Sequence, residues 1–341
     1  MRQNNFDILR FFFAFVVLLG HLVILSGVDE FADYTQYLDT YLSVTAFFVI
    51  SGFLIAQSFD RRKNIKDYFK KRAARILPPY IMVLILSILM LSMFSNYGWR
   101  EYFTHPDLLK FIAANFSFMN FVQPCLPGVF TTAPIDCSVN GALWTIKVEV
   151  VFYLFLPVIA FVIKKFRKHW FVFLFFYLFS VCYRYGVYEM SVFLNRPSLA
   201  TLSHQFPGFI SYFISGIAMY YYFEFFYKYK NILIVLGLAL FFADNIVGIE
   251  LFRPIGLAII VFYIAYSFRF LNNFGKNGDI SYGIYIYHYP LIMLVADQGL
   301  FRTMNPYWVA LAVVIVVLAL SYASWHLLEK PILSKVRRLN S

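Results

Sequence analysis

Charge is scarce in this chain of 341 residues. Asp, Glu, Lys and Arg make up 14% of it, against roughly a quarter in an average globular domain. With 61% hydrophobic residues and a mean hydropathy of +0.68, that scarcity excludes a soluble enzyme and a disordered chain. Cysteine is scarcer still, at three residues, which excludes a small secreted scaffold built on disulfides. The G-x-x-x-x-G-K-[ST] phosphate loop, the G-x-G-x-x-G dinucleotide fingerprint and the G-x-S-x-G nucleophile elbow are all missing. The six histidines and three cysteines show no metal-ligand spacing, so no metal is expected. No repeat of fixed period occurs. No A-x-A-like site ends the first apolar run, which argues against a cleaved signal peptide.

What is abundant is apolar sequence in long runs. A span needs about 20 such residues. The runs lay out as ten helices, near 8–27, 40–58, 79–97, 142–163, 170–188, 207–227, 231–248, 254–270, 280–297 and 307–328. The expected fold is an all-α polytopic membrane protein of about ten transmembrane helices. Residues 1–341 are then a single transmembrane domain with no fused soluble domain. The net charge of +11 fits inner loops facing anionic lipid better than it fits nucleic acid. With the N-terminus inside, 22 of the 29 Lys and Arg fall in inner segments. Arg100, Lys110, Lys147, Arg184, Arg196, Arg253 and Arg302 do not. That bias predicts both termini in the cytoplasm. The longest outer connection, about 98–141, carries Cys125 and Cys137. A bridge and two free thiols both fit this spacing, and the oxidising compartment favours the bridge. Cys182 sits in an apolar helix without an obvious partner.

Ionisable groups inside spans are costly and point to function. Arg10 and His21 are eleven residues apart in the first helix. At 100° per residue they share a face, about 16 Å apart along the axis. A cation at the cytoplasmic rim, with an imidazole deeper on the same face, suits an elongated anionic ligand. The plainer alternative is that Arg10 snorkels and His21 bonds a neighbouring helix. Glu149, in the fourth helix, lies at a depth matching His21 by helical rise. It is the expected carboxylate that orients the imidazole and stabilises its cation; a structural ion pair with Arg184 is the alternative. Ser51 and Gly52 fall near mid-membrane and read either as a substrate contact or as a small-residue packing seam. Ser281, Tyr285 and His288 recur at spacings of four and three, on one face, although tyrosines also form aromatic belts. The basic run from Arg61 to Arg75 reads as a lipid-headgroup or phosphate grip.

Together these segments resemble the acyltransferase-3 superfamily of bacterial membrane O-acyltransferases, which includes O-antigen and exopolysaccharide acetyltransferases. The resemblance runs through Asp7-Ile8-Leu9-Arg10 with His21, Ser51-Gly52-Phe53-Leu54-Ile55, and Arg72-Ala73-Ala74-Arg75-Ile76-Leu77-Pro78. It continues with Leu143-Trp144-Thr145 and Glu149, Phe152-Tyr153-Leu154 and Pro157, Ser281-Tyr282-Gly283-Ile284-Tyr285 before His288, and Glu329-Lys330-Pro331. It implies a cytoplasmic acyl-CoA donor, in the first instance acetyl-CoA. The implied acceptor is a hydroxyl of a cell-surface or lipid-linked glycan, and the implied site is the bacterial inner membrane. Some members carry a further SGNH-type domain; this chain, closing soon after its last span, is expected to act without one.

On that resemblance Arg10, Arg72 and Arg75 are expected to hold the CoA phosphates. His21 is expected to act as general base, paired with Glu149. Ser51, Trp144, Tyr285 and His288 are the expected substrate-binding residues, with Tyr285 or Ser51 as oxyanion donor. Direct transfer and a transient acyl-enzyme on His21 or Ser51 both fit these residues. The rival from another class is a multi-span glycan or lipid transporter, against which the lack of repeat symmetry counts.

Overall fold

The computed structural model describes residues 3–61, 64–166 and 168–338. Arg2, Arg62, Lys63 and Arg167, which enter the charge count above, lie outside the described residues. Among the described residues every regular element is helical, and the one β feature is an isolated antiparallel bridge between Cys125 and Ser138. The helices are α1 (Phe6–Leu25), α2 (Thr40–Asp60), α3 (Ile65–Leu91), α4 (Trp99–Thr104), α5 (Pro106–Phe116), α6 (Trp144–Lys165), α7 (His169–Phe193) and α8 (Pro197–Ser203). They continue with α9 (Phe206–Tyr221), α10 (Phe223–Val247), α11 (Arg253–Ser267), α12 (Ser281–Asp297), α13 (Leu300–Thr303), α14 (Pro306–Ser324) and α15 (Lys330–Arg338). A π-helical turn, Trp325–Glu329, joins α14 to α15.

Each of the ten apolar runs becomes a helix, but not each is long enough to be a span by itself. Among the described residues seven helices have the length and apolarity to cross a membrane, or eight if α11 is joined to Arg269–Lys276 across a 77° bend. The all-α polytopic membrane fold is the one expected, with the shorter apolar helices falling outside that length criterion. α9 and α12 are 16 and 17 residues long, and both are mostly buried in protein. A helix so enclosed does not expose its backbone to lipid and need not match the lipid thickness. Large apolar side chains stand exposed along α7, α10 and α14, including Phe175, Ile232 and Ile315, as a lipid-facing surface requires.

α3 starts well before the expected 79. The basic stretch from Lys66 to Arg75 is therefore helical. Asn64 caps it by accepting from the Asp67 amide at 2.8 Å, and Lys, Arg and Ala between 66 and 75 are strong helix formers. The helix runs on through Pro78 and Pro79. Beside them the Tyr282 hydroxyl donates to the Ile76 carbonyl at 3.2 Å, which ties the start of α12 to α3. The connection between α3 and α6 also holds α4 and α5. His105, in front of Pro106, caps α5 by accepting from the Asp107 amide at 3.2 Å.

By contact the chain divides into two compact units. The first takes residues up to Leu9, Val44–Tyr68 and Val148–Phe274; the second takes Arg10–Ser43, Phe69–Lys147 and the chain from Gly275 onward. In the first unit, α2 and α9 cross at glycines. A side chain at Gly52 would strike the Phe213 carbonyl, and one at Gly216 the Val49 carbonyl. Small residues admit such backbone approach where lipid supplies no hydrophobic drive for helix association. The packing-seam reading of Gly52 is thus the one realised. Asn5 closes the end of α11, donating from Nδ2 to the carbonyls of Phe268 (2.7 Å) and Ile264 (3.1 Å).

In the second unit, α12 lies against α14, where Gly283 meets Ser321. Pro290 inside α12 removes the amide that would have bonded the Ile286 carbonyl. Asn140 replaces it, donating from Nδ2 at 2.8 Å. The segment leading into α6 is so fastened to the middle of α12. Cys125 and Cys137 are joined by a disulfide, with Cα atoms 5.2 Å apart. Cys182 is a free, exposed thiol.

Candidate active site

The expected site residues fall into three groups, two of them in the second unit. The first group is a charge cluster at the start of α12. Asp279 Oδ2 lies 2.6 Å from Arg10 Nη2 and also pairs with Arg75. Its other oxygen accepts from the Ser281 hydroxyl at 2.5 Å and the Ser281 amide at 3.2 Å. Arg75 Nη1 is 3.5 Å from Glu329 Oε2, and the Arg75 guanidinium lies over the Trp325 ring, 5.5 Å from its centroid. Glu329 is fully buried and reaches the cluster from the π-turn, a helix irregularity that recurs at functional sites. Ser324 donates to its Oε1 at 3.3 Å, and Tyr287 donates to Ser324 at 3.2 Å. Arg72 stands one turn before Arg75 on α3. Burial pushes the Asp279 carboxyl up, but Arg10, Arg75 and Ser281 outweigh it and hold it down at about 2.

Asp279 and Glu329 were not among the residues assigned roles from the sequence. A general signal was present, since an acidic group at a membrane rim needs a partner. Arginines shared with carboxylates are held in place, and a guanidinium can grip phosphate through two parallel bonds.

The second group is a pair of histidines further along the same two helices. His21 Nδ1 on α1 is 2.8 Å from His288 Nε2 on α12. The rings are nearly parallel, 12° apart, with centroids separated by 5.0 Å. Tyr289 meets the His21 ring edge-on at 5.3 Å. His288 is completely buried, and its Nδ1 lies 2.9 Å from the Ile284 carbonyl. Tyr285, one turn before His288, pairs its hydroxyl with Thr145 Oγ1 at 2.7 Å. Trp144, half-buried, begins α6 beside it in sequence. The common face read for Ser281, Tyr285 and His288 is realised, with a different partner for each.

The third group belongs to the first unit. Glu149 Oε1 accepts from the Tyr153 hydroxyl at 2.5 Å and from Ser51 at 3.4 Å. The hydrogen-bond partner of the His21 ring is therefore His288, and those of Glu149 are Tyr153 and Ser51. Arg184, the alternative partner weighed for Glu149, bonds the Gly208 carbonyl at 2.7 Å and lies 3.5 Å from Glu250 Oε2. Lys147 lies 4.6 Å from the Phe121 ring centroid. Among the described residues no group of three or more His, Cys, Asp or Glu is arranged to hold a metal ion.

This arrangement can be set against known proteins. Residues 3–326 match the family described as an acyltransferase domain. The chain belongs to the acyltransferase-3 family. An O-acetyl transferase of Shigella phage Sf6 is 28% identical over 98% of this chain and 97% of its own length. Nodulation protein 10 of Rhizobium leguminosarum bv. viciae is 26% identical, covering 96% and 93% respectively. No solved structure matches. The acyltransferase is thus a multi-pass membrane enzyme that moves an acyl group from a donor to an oxygen, and the transporter alternative falls away.

Proposed function

We propose that this acyltransferase takes an acetyl group from cytoplasmic acetyl-CoA and places it on a hydroxyl of a cell-surface or lipid-linked glycan, from the bacterial inner membrane. The observation that supports this most is the layout of α1 and α12. An arginine cluster sits at one end of the pair, at Arg10, Arg75 and Asp279, and a histidine pair sits further along it. The resemblance to O-antigen and exopolysaccharide acetyltransferases supports the glycan, and the Sf6 relative's name supports the acetyl group.

In this reading Arg10, Arg72 and Arg75 hold the donor's phosphates. The pantetheine arm runs along α1 and brings the thioester to His21. His21 removes the proton from the acceptor hydroxyl as its oxygen attacks the thioester carbonyl carbon. The Tyr285 hydroxyl donates to the oxyanion. The carbon–sulfur bond then breaks, and the sulfur takes the proton from the imidazolium to leave as free CoA thiol. Trp144 and His288 bound the substrate region. Glu149, held by Ser51 and Tyr153, supplies a second polar cluster whose share is read from Glu149→Gln.

Purified enzyme with acetyl-CoA and an O-antigen-type lipid-linked saccharide tests the reading. Free thiol and an acetyl ester on the saccharide are expected in equal amounts. Absence of thiol release with every acyl-CoA tried would exclude the donor. Rapid quenching with radiolabelled acetyl-CoA separates the routes: direct transfer leaves no label on protein, and a relay labels His21 or Ser51.

A further inference from the structure

We propose that His288 is a positioning residue that locks His21 in the tautomer protonated on Nδ1, so that the bare Nε2 is the atom presented to the acceptor hydroxyl. The inference rests on the reading of His21 as general base. It replaces a carboxylate by a second, neutral histidine as the group that orients the base.

The argument follows from which atoms can donate. A carbonyl oxygen only accepts, so the 2.9 Å contact between His288 Nδ1 and the Ile284 carbonyl is a bond donated by Nδ1–H. A neutral imidazole carries one N–H. His288 Nε2 therefore has a lone pair, and that lone pair faces His21 Nδ1 at 2.8 Å. The contact is a hydrogen bond only if His21 supplies the proton. Hydrogen on Nδ1 leaves the His21 lone pair on Nε2. The chain runs one way, from His21 through His288 to a helix carbonyl, and ends on an uncharged group. Such a chain needs no carboxylate, and the assignment of a histidine tautomer by the bond on its other nitrogen is general.

Other contacts keep the pair from rearranging. His288 has no exposed surface, so its ring cannot turn out to solvent. The two rings lie within 12° of parallel with centroids 5.0 Å apart, a placement compatible with an edge-to-edge nitrogen–nitrogen bond. Tyr289 blocks the His21 ring edge-on, and a side chain at Gly141 would collide with that same tyrosine, so the Tyr289 ring is itself fixed. During transfer the hydroxyl proton passes to His21 Nε2 as the new carbon–oxygen bond forms. His21 stays bonded to His288 through Nδ1–H. The proton then leaves Nε2 for the departing sulfur, and the starting tautomer returns without any proton on Nδ1 having moved.

The test reads the tautomer in the unaltered protein. Nitrogen-15 histidine NMR of the detergent-purified enzyme distinguishes protonated from bare ring nitrogens, with His21→Gln and His288→Gln used to assign the signals. His21 is expected with Nδ1 protonated and Nε2 bare; the reverse overturns the proposal. Turnover supplies the second arm. His288→Leu removes the acceptor, and kcat is expected to fall by about 100-fold or more while KM for acetyl-CoA stays within about twofold. His288→Gln can accept from His21 Nδ1–H through Oε1, and is expected to recover at least about tenfold of that loss. Equal kcat in the Leu and Gln variants overturns the proposal. Failure of the underlying reading looks different: the expected tautomer in NMR, with His21→Ala still turning over, would remove His21 as the base and leave the bonded chain intact.

Discussion

Arg10→Ala and His21→Ala should damage the acyltransferase in separable ways. The two residues are eleven apart on α1, about 16 Å by helical rise, too far to act on the same atoms of a donor. Arg10 points its guanidinium at Asp279 from 2.6 Å and is partly exposed, so it is fixed yet able to meet a phosphate. Truncating it removes one charge-assisted contact, about 1.5–3 kcal/mol, or roughly 10- to 150-fold in CoA affinity. The thioester chemistry should be largely retained at saturating donor. His21 makes no phosphate contact in this reading. His21→Ala should bind CoA close to normally and lose about 10²- to 10⁴-fold in kcat, the range for a general base. Isothermal titration with CoA, and thiol release, are measured on the same monodisperse preparations. Near-normal turnover by His21→Ala would make the histidine structural. Loss of CoA binding by His21→Ala as deep as that of Arg10→Ala would refute the division of labour along α1, even with the family unchanged.

Four further outcomes follow from the same geometry. Asp279→Asn should loosen both Arg10 and Arg75, since a buried carboxylate shared by two cations is costly to lose, about 3–5 kcal/mol in comparable buried pairs. Because its folded pKa, about 2, lies below the ordinary 3.8, the Asp279 contribution is in place above about pH 4 and fades as pH falls through 2; the shift corresponds to about 2 kcal/mol, and denaturation of wild type and variant across that range checks the sign. Gly52→Val should force α2 off the Phe213 carbonyl and cost about 1–3 kcal/mol or prevent folding, read by thermal stability in detergent. Replacing Cys125 and Cys137 by serine opens a loop of sequence separation 12, an expected loss of about 3 kcal/mol, and alkylation followed by mass spectrometry without reductant should find both thiols blocked in wild type. Tags at both termini should report from the cytoplasm and a cysteine placed within 98–141 should label from outside; a C-terminal tag found outside would break the topology.

The positions of the long helices were legible because lipid demands internal backbone pairing and about 20 apolar residues per span. Where the demand weakens, the reading weakened too. α3 begins among Lys, Arg and Ala between 66 and 75, which have good helix propensity but no hydropathy signal, so the helix was read as starting near 79. α9 and α12 carry apolar runs as dense as the others, and only their enclosure by protein, through contacts such as Gly216 on Val49 and Gly283 on Ser321, explains why they are short. In the candidate site, the shared face of Arg10 and His21 is a matter of one helix's period and was visible in the sequence. Their partners were not. Depth along the membrane is one coordinate of three, and matching Glu149 to His21 on depth left its rotation and neighbours undetermined. The charges that restrain Arg10 and Arg75 come from Asp279 and Glu329, residues 204 and 254 positions further along the chain than Arg75.

The two contacts between α1 and α12 act on each other through helix geometry. From Arg10 to His21 is eleven residues, about 16 Å of rise, and from Asp279 to His288 is nine, about 13 Å. The difference of about 3 Å is small enough for side chains to absorb. The Arg10–Asp279 ion pair and the His21 Nδ1–His288 Nε2 contact therefore fit one and the same register of α12 against α1. Sliding α12 by one residue, about 1.5 Å with a 100° turn, would take His288 off the face that meets α1 and leave its ring without the His21 bond. The histidine pair is expected to hold that register when Arg10 is truncated, and the task left to the charge cluster is to offer guanidinium groups to the donor's phosphates. A lysine at position 10, a point charge with no fork, meets that task less well than arginine.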